Sequence, residues 1–361
     1  MKIHANNKLN FKLLVLFFIL PLISTAFFSC NNNDLIITES GKPSIIKIVK
    51  DTTFIGDTIT IYGENFGDRN LSSFVVFNDS TIIHSSLCLK WTISQITLIV
   101  PNTSTQNIFV VAKNDTSNSF TLTINQLPPL DTVEVSSGKI TIGSLFGYKD
   151  EQPPHNIYIS KPLICSKFEI NQFFYKQVVG YNPSLIKDNS LPVDSISWVD
   201  AIQFCNKLST IQGLEPVYTI FGDKVNWDTT ANGWRLPTEA EWEYLCRAGS
   251  NYDYSSSTNL ADDGWYNMNS GLHSHSSGLK LPNAFGLYDM HGNLWEWCWD
   301  FYSSDYYSQS PYQDPKGPES GSRHIARGGS YADGNSFARA SNRYYTYDAI
   351  PRTGIRIVRN K

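Results

Sequence analysis

The sequence contains no CxxC pair and no excess of positive charge, and setting Cys30 aside leaves an odd number of cysteines. The first absence argues against a zinc site built from cysteine pairs. The second removes the electrostatic footprint of a nucleic-acid binder, because 29 Lys and Arg face 33 Asp and Glu for a net charge of −4. The third leaves at least one unpaired thiol among Cys88, Cys165, Cys205, Cys246 and Cys298. Helical periodicity is also scarce and is clear in only two short stretches. Aromatic residues, by contrast, are plentiful, with 9 Trp and 19 Tyr.

Lys2, Lys8 and Lys12 precede an apolar run at residues 13–28 that is interrupted by Pro21, Ser24 and Thr25. This is the charged-then-apolar order of a targeting segment. The run ends in Phe28-Ser29-Cys30, and Asn31-Asn32-Asn33-Asp34 follows at once. A small residue just before Cys resembles a bacterial lipoprotein signal. That resemblance implies lipidation of Cys30 and an envelope protein anchored to the outer membrane, either periplasmic or surface-exposed. An uncleaved membrane anchor is the competing reading. Both place the remaining chain outside the cytoplasm.

After this leader (1–30) and a polar tether (31–42), residues 43–125 alternate short β runs with turn residues. The candidate strands are 45–49, 58–62, 74–77, 96–100, 108–112 and 120–124. Their Val, Ile, Thr and Phe content and their spacing predict a small antiparallel sandwich. GDTITIYGENFG at 56–67 resembles the central motif of TIG (IPT) domains, an immunoglobulin-like family of spacers, dimerisation modules and binding platforms. Pro128-Pro129 marks a stiff linker at 126–132. The second domain is expected over 133–361.

Within that domain, Ser197 to Asp200 open a helix whose Ala201, Ile202, Cys205 and Leu208 share one face. Thr238 and Glu241 form a capping box for another helix, which ends near an αL residue expected at Gly249. Beyond Gly249 the chain reads as long irregular loops that need metal, disulfides or buried aromatics to hold them. The densest stretch is PNAFGLYDMHGNLWEWCWD at 282–300. Asp289 and Glu296, with carbonyl oxygens between them, offer the oxygen-only ligation that suits calcium. Two solvated carboxylates beside a tryptophan-rich core is the alternative. Trp295, Trp297 and Trp299 alternate, and Trp299 is expected to face away from the other two. His273 and His275, in a Ser/Gly-rich loop, are read as solvated.

Three blocks together resemble the formylglycine-generating enzyme, or sulfatase-modifying factor, family: GWRLPTEAEWEYLCRAG at 233–249, GLYDMHGNLWEW at 286–297 and RGGSY at 327–331. Upstream, GSLFGYKDEQPPHNI, FEINQFFY and PVDSISWVDAIQFC are similar to its earlier blocks. The fold class expected is therefore an all-β immunoglobulin-like sandwich followed by an α+β, loop-rich, C-type-lectin-like domain. The resemblance implies a structural calcium site using the side chains of Asp289 and Glu296 and the carbonyls of Gly292 and Leu294. It also implies a second calcium site in the loop at 262–269. Cys205 and Cys246 match family half-cystines, but no partner follows at 339–359. His155 and His291 fall at motif positions and are expected to brace loops.

The family's oxidase uses copper(I) held by two cysteines after RGGS-aromatic, and soft thiolates are the natural ligands of that ion. Asp333 and Ala338 stand at those positions here, and no cysteine follows Cys298. Copper is therefore not expected, and no catalytic residue is assigned. The family's groove maps onto Trp295, Trp297, Arg327, Ser330, Arg339 and Tyr345. Tyrosines nearby have the profile of a recognition surface. The expected role is non-catalytic, in binding a glycan, a peptide or an envelope protein or in assembling a surface complex. The alternatives are an oxidoreductase of the formylglycine-generating type with other ligands, or a structural subunit of secretion or gliding machinery.

Overall fold

The computed structural model describes residues 41–78, 80–255, 259–346 and 351–361. The leader and Cys30 lie outside the described residues. All six candidate strands of residues 43–125 form. One sheet has the order Ser44–Val49, Thr58–Glu64, Gln95–Ile99, Lys90–Trp91, antiparallel throughout. The other runs Thr52–Thr53, Phe120–Ile124, Gln106–Ala112, Phe74–Phe77, Ile82–His84, with Thr52–Thr53 parallel to its neighbour. Alternation buries Ile59 and Ile61 from the first sheet against Val75, Phe77, Ile108 and Val110 from the second. Cys88 and Trp91 lie in the same core.

The linker is packed, not free. Leu127 and Leu130 lie against the core of the following region, and the Asp131 carbonyl accepts from the Lys167 amide at 2.9 Å. Phe54 and Ile55, from a turn of the first region, pack there too. Asp57 lies buried at this junction. It accepts from Lys207 Nζ (2.6 Å), Lys50 Nζ (3.2 Å) and Thr53 Oγ1 (3.0 Å). Burial alone would raise its carboxyl, but Lys207 and the Phe54 amide hold it below its ordinary value. A depressed carboxyl contributes stability that is complete above its unfolded pKa, about 3.9, and disappears as pH falls through the folded value. Hydrogen exchange at residues 54–57 is therefore expected to rise selectively below about pH 4. Asp57→Asn should show the faster exchange already at neutral pH; unchanged exchange there would remove Asp57 from this role.

The C-terminal region is β-rich with few helices. Thr132–Val135, Leu163–Ser166 and Val358–Asn360 form a sheet that ties both ends of the region together. The central sheet has the order Tyr344–Thr346, His324–Arg327, Trp295–Phe301, Thr353–Gly354. Helix α1 (Gln172–Val179) starts at Asn171, whose side chain accepts from the Phe174 amide; its periodicity had not singled it out. Helix α2 (Trp198–Ile211) has the expected buried face and a capping box from Ser197 and Asp200. Helix α3 (Glu239–Arg247) has the expected box from Thr238 and Glu241. Gly249 has the expected positive φ, 87°, and Ala248 before it is left-handed too, at 46°.

All nine residues of α3 are buried, including three glutamates. Each has arginine partners. Glu241 pairs with Arg235 at 2.6 and 2.7 Å, and Glu239 with Arg343 at 2.7 and 2.9 Å. Glu243 binds Arg247 at 2.8 Å and also Arg327. No disulfide forms among the described cysteines, all five of which are buried and free. Buried ion pairs take the place of disulfides in holding the loops. Arg356 illustrates this: it bonds Glu296, the Ser166 and Lys167 carbonyls and the Tyr288 carbonyl, joining three segments.

Candidate functional site

The RGGS turn follows directly from strand His324–Arg327. Gly328 and Gly329 have φ of 100° and 80°, a region that favours glycine. A Cβ on Gly329 would meet the backbone of Ala338 at 3.0 Å, so the second glycine also permits a close approach of chains. This approach brings positions 330, 333 and 338 together. Asp333 Oδ2 accepts from Trp295 Nε1 at 2.8 Å and from Ser330 Oγ, and Asp333 Oδ1 faces Arg352 at 3.4 Å. Ala338 is buried, and its carbonyl accepts from His291 Nδ1 at 2.7 Å. His291 Nε2 is met by the Ser255 amide and hydroxyl at 3.0 and 2.8 Å. Burial pushes this imidazole down to about 4, so it braces the loop as a neutral ring.

The residues expected to form the groove separate into two sets. Trp297 and Arg327 are fully buried. Trp297 Nε1 donates to the Ile196 carbonyl, and Arg327 is held by Glu243, Glu239 and the Asn342 carbonyl. Neither lines the groove beside Tyr345. Trp295 is also buried, stacked on Tyr344 at 4.7 Å. Arg339 makes a two-pronged pair with buried Glu151 at 2.8 and 2.6 Å, so its charge is already matched. Tyr345 does line a groove of about 590 Å³, together with Tyr148, Asp150, Tyr302, Phe337 and Arg343. Tyr345 lies 3.8 Å from Tyr302 between ring centroids and takes Arg323 on its face at 4.3 Å. Phe146, two residues before Tyr148, is 99 % exposed.

The carboxylates of the 286–297 segment are also arranged differently from the sequence reading. Glu296 gives both oxygens to Arg356, at 2.8–3.1 Å, and one also to Trp242 Nε1 at 2.7 Å. The buried carboxylate near Asp289 is Glu169, from the FEINQFFY block. Glu169 accepts from Ser277 Oγ (2.9 Å), Asn293 Nδ2 (2.6 Å) and the Leu294 amide (3.0 Å). Asp289 Oδ2 accepts from the adjacent Gly278 amide at 2.6 Å, while Oδ1 is buried without a hydrogen-bond partner. Burial, with Asp289 and Glu296 nearby, pushes Glu169 well above the usual carboxylate range. Burial pushes Asp289 up to about 6. Glu169 had no assigned role in the sequence. Its one signal was a carboxylate between Phe168 and Ile170, where an apolar residue would otherwise be buried.

Gly292, with φ of 86°, turns the chain, and its amide donates to the Gly328 carbonyl at 2.7 Å. In the loop at 262–269, the Asn269 side chain turns back onto the Tyr266 amide and the Gly264 carbonyl. His275 stacks on Trp265 at 3.8 Å and bonds the Ser270 carbonyl, so it is packed, not solvated. Among the described residues, no group of three or more His, Cys, Asp or Glu is placed to hold a metal.

Residues 121–361 match the sulfatase-modifying factor enzyme 1-like domain. The chain is 33 % identical over 232 residues to chaperone protein LppX of Paenibacillus barcinonensis, covering 54 % of this chain and 79 % of that one. It is 39 % identical over 140 residues to the formylglycine-generating enzyme of Streptomyces coelicolor, covering 33 % of this chain and only 44 % of the enzyme. Among solved structures, Treponema denticola variable protein 1 superposes with a TM-score of 0.61 at 30 % identity, covering 68 % of this chain and 96 % of that one. PvdO from Pseudomonas aeruginosa, at 22 % identity and a TM-score of 0.52 over 64 % and 94 % of the two chains, shares the fold. With its signature blocks, its fold and two-thirds of its length in agreement, this chain belongs to the sulfatase-modifying factor enzyme 1-like domain family.

Proposed function

We propose that this chain keeps the family's fold without its copper chemistry and acts by binding a polypeptide partner in the groove beside Tyr345. The observation that carries this reading is the pair of positions at the RGGS turn. Asp333 is engaged by Trp295, Ser330 and Arg352, and Ala338 has no donor side chain. The donor set does not fit copper(I), which favours thiolates. The five described thiols are buried, and burial raises each of them. A groove lined by Tyr148, Tyr302, Phe337 and Tyr345 supports a binding role. Aromatic anchors with polar tips suit protein recognition. The chaperone role named for the Paenibacillus relative points the same way.

The purified protein is expected to bind no stoichiometric copper(I) and to leave a sulfatase-type cysteine peptide unmodified. Formylglycine in the peptide mass spectrum would support the oxidoreductase reading instead. A partner recovered from envelope extracts should bind Tyr345→Ala about thirtyfold more weakly, the usual loss for an aromatic anchor. Arg339→Ala is a poor probe of binding, because it strands the buried Glu151 carboxylate. An unchanged affinity in Tyr345→Ala would place the partner elsewhere.

The same reading includes a structural calcium ion. The orphaned Asp289 Oδ1 and the raised carboxyls of Asp289 and Glu169 suit a hard cation that prefers oxygen. The ion would tie the segment before α1, which carries Glu169, to the loop that carries Asp289. The cellular setting we propose is the bacterial envelope, with a lipid at Cys30. That reading rests on the leader sequence. Among the described residues, no helix is long and apolar enough to cross a membrane. The immunoglobulin-like reading of residues 43–125 rests on the 56–67 motif and the two facing sheets, and a spacer role suits it.

A further inference from the structure

A second groove, of about 730 Å³, opens where the central strand runs out, at Trp299–Phe301 and His324. It lies at the opposite end of the His324–Arg327 strand from the RGGS turn. The strand is irregular between Trp297 and Phe301, and Trp299 packs against the same core as Trp295 and Trp297, so it does not face away from them. What distinguishes Trp299 is its place near the strand's end, where it is half-buried. Trp198 stacks on His324 at 3.7 Å and 8°, and His324 stacks on Phe301 at 4.3 Å and 27°. Trp299 packs 5.5 Å from Trp198 and is backed by Tyr218 and Trp227, each at 5.3 Å. Burial pushes the His324 imidazole down to about 4, so this platform is uncharged at neutral pH.

The rim has a different character. Asp223, from the turn of the hairpin formed by Tyr218–Phe221 and Lys224–Trp227, stands on one side, and Glu319 stands in the loop before Gly321. Both are exposed, and among the described residues neither has a hydrogen bond or ion pair. Asn226 and Ser322 add neutral donors and acceptors. A neutral groove lined by half-buried Trp299 and Phe301 asks for a ligand with an apolar face. Free carboxylates at the edge ask for hydroxyl or ammonium donors and reject anions. A pyranose presents both features, with C–H groups on its faces and hydroxyls around its perimeter. The groove also falls within the ~300–1,000 Å³ of ordinary small-molecule sites.

We propose that this groove is a saccharide-binding site for a short stretch of uncharged oligosaccharide. Trp299 and Phe301 would stack on sugar rings, and Asp223 and Glu319 would accept from sugar hydroxyls. The site is separate from the groove beside Tyr345, so either can fail without the other. A cationic peptide could also satisfy the two carboxylates, but Lys224 sits next to Asp223 and opposes it.

The test titrates the full chain with chitohexaose, cellohexaose, xylohexaose and a lysine hexapeptide, following tryptophan fluorescence and calorimetry. At least one sugar is expected to bind saturably below about 10 mM, near the weak end of specific affinity. The double variant Asp223→Asn, Glu319→Gln should weaken that binding at least about tenfold, because hydrogen bonds to charged acceptors are the stronger ones. Its melting temperature should be unchanged, since among the described residues neither carboxylate has a hydrogen bond or ion pair. Tyr345→Ala should leave sugar binding intact. The proposal is overturned if no sugar binds, if binding survives in the double variant, or if only the lysine peptide binds and is lost there.

Discussion

Arg327→Ala is expected to destabilise the C-terminal region by about 3–5 kcal/mol, the cost of breaking a buried ion pair from one side. The side chain is fully buried and bonds Glu243 and the Asn342 carbonyl. It also approaches Glu239 at 3.5 Å and lies 5.2 Å above the Trp242 ring. Truncation leaves Glu243 with Arg247 as its remaining arginine, beside the Gly143 amide and the Tyr307 hydroxyl. Burial would raise the Glu243 carboxyl, and Arg247 and Arg327 together hold it below the usual range. For a region of this size the loss corresponds to a fall of about 10 °C in melting temperature. Arg327→Lys should recover little, because an ammonium cannot reproduce the planar fork that meets the partners in place. A variant melting within about 2 °C of the parent would show that the network tolerates the charge.

Calcium should produce the second large effect. A ligand that binds only the folded state stabilises it by RT ln(1 + [L]/Kd), about 2.7 kcal/mol at a hundredfold excess over Kd. Chelation of the native protein is expected to lower the melting temperature by several degrees, and added calcium should restore it. Asp289→Asn should remove the calcium-dependent part, because its orphaned oxygen is the one with no protein partner. Glu296→Gln should behave differently. It loosens the Arg356 clamp and lowers stability with or without the metal. If metal-stripped protein melts at the same temperature before and after calcium is added, the buried Glu169–Asp289 pair has another explanation.

These two experiments concern features that the sequence revealed unequally. Arg327 is conspicuous as the first letter of RGGSY, but its partners lie 84 residues away, at Glu243, and 15 residues away, at Asn342. No local rule links those positions. Glu296 and Asp289, seven residues apart, were read together because they sit in one motif. The chain instead folds so that Arg356 takes Glu296, while the turn at 277–278 holds Glu169 and Asp289 side by side.

Local chemistry was sufficient wherever one segment makes its own structure. The capping boxes of α2 and α3, the six strands before the linker and the glycines of the RGGS turn all follow from backbone preference and short-range pattern. The proposal that copper chemistry is absent needed only the letters at 333 and 338. Where side chains end up in the loop-rich region was decided in three dimensions, because irregular chain has no period to place a residue inside or outside. Burial therefore turned Trp297 and Arg327 into supports, while Tyr345 remained on a groove wall. The tertiary fold likewise carried Trp198, Trp299, Phe301 and His324 from three separate segments into one aromatic floor. Charge pairing across long sequence separations, which releases its energy only when both partners are buried together, set the rest.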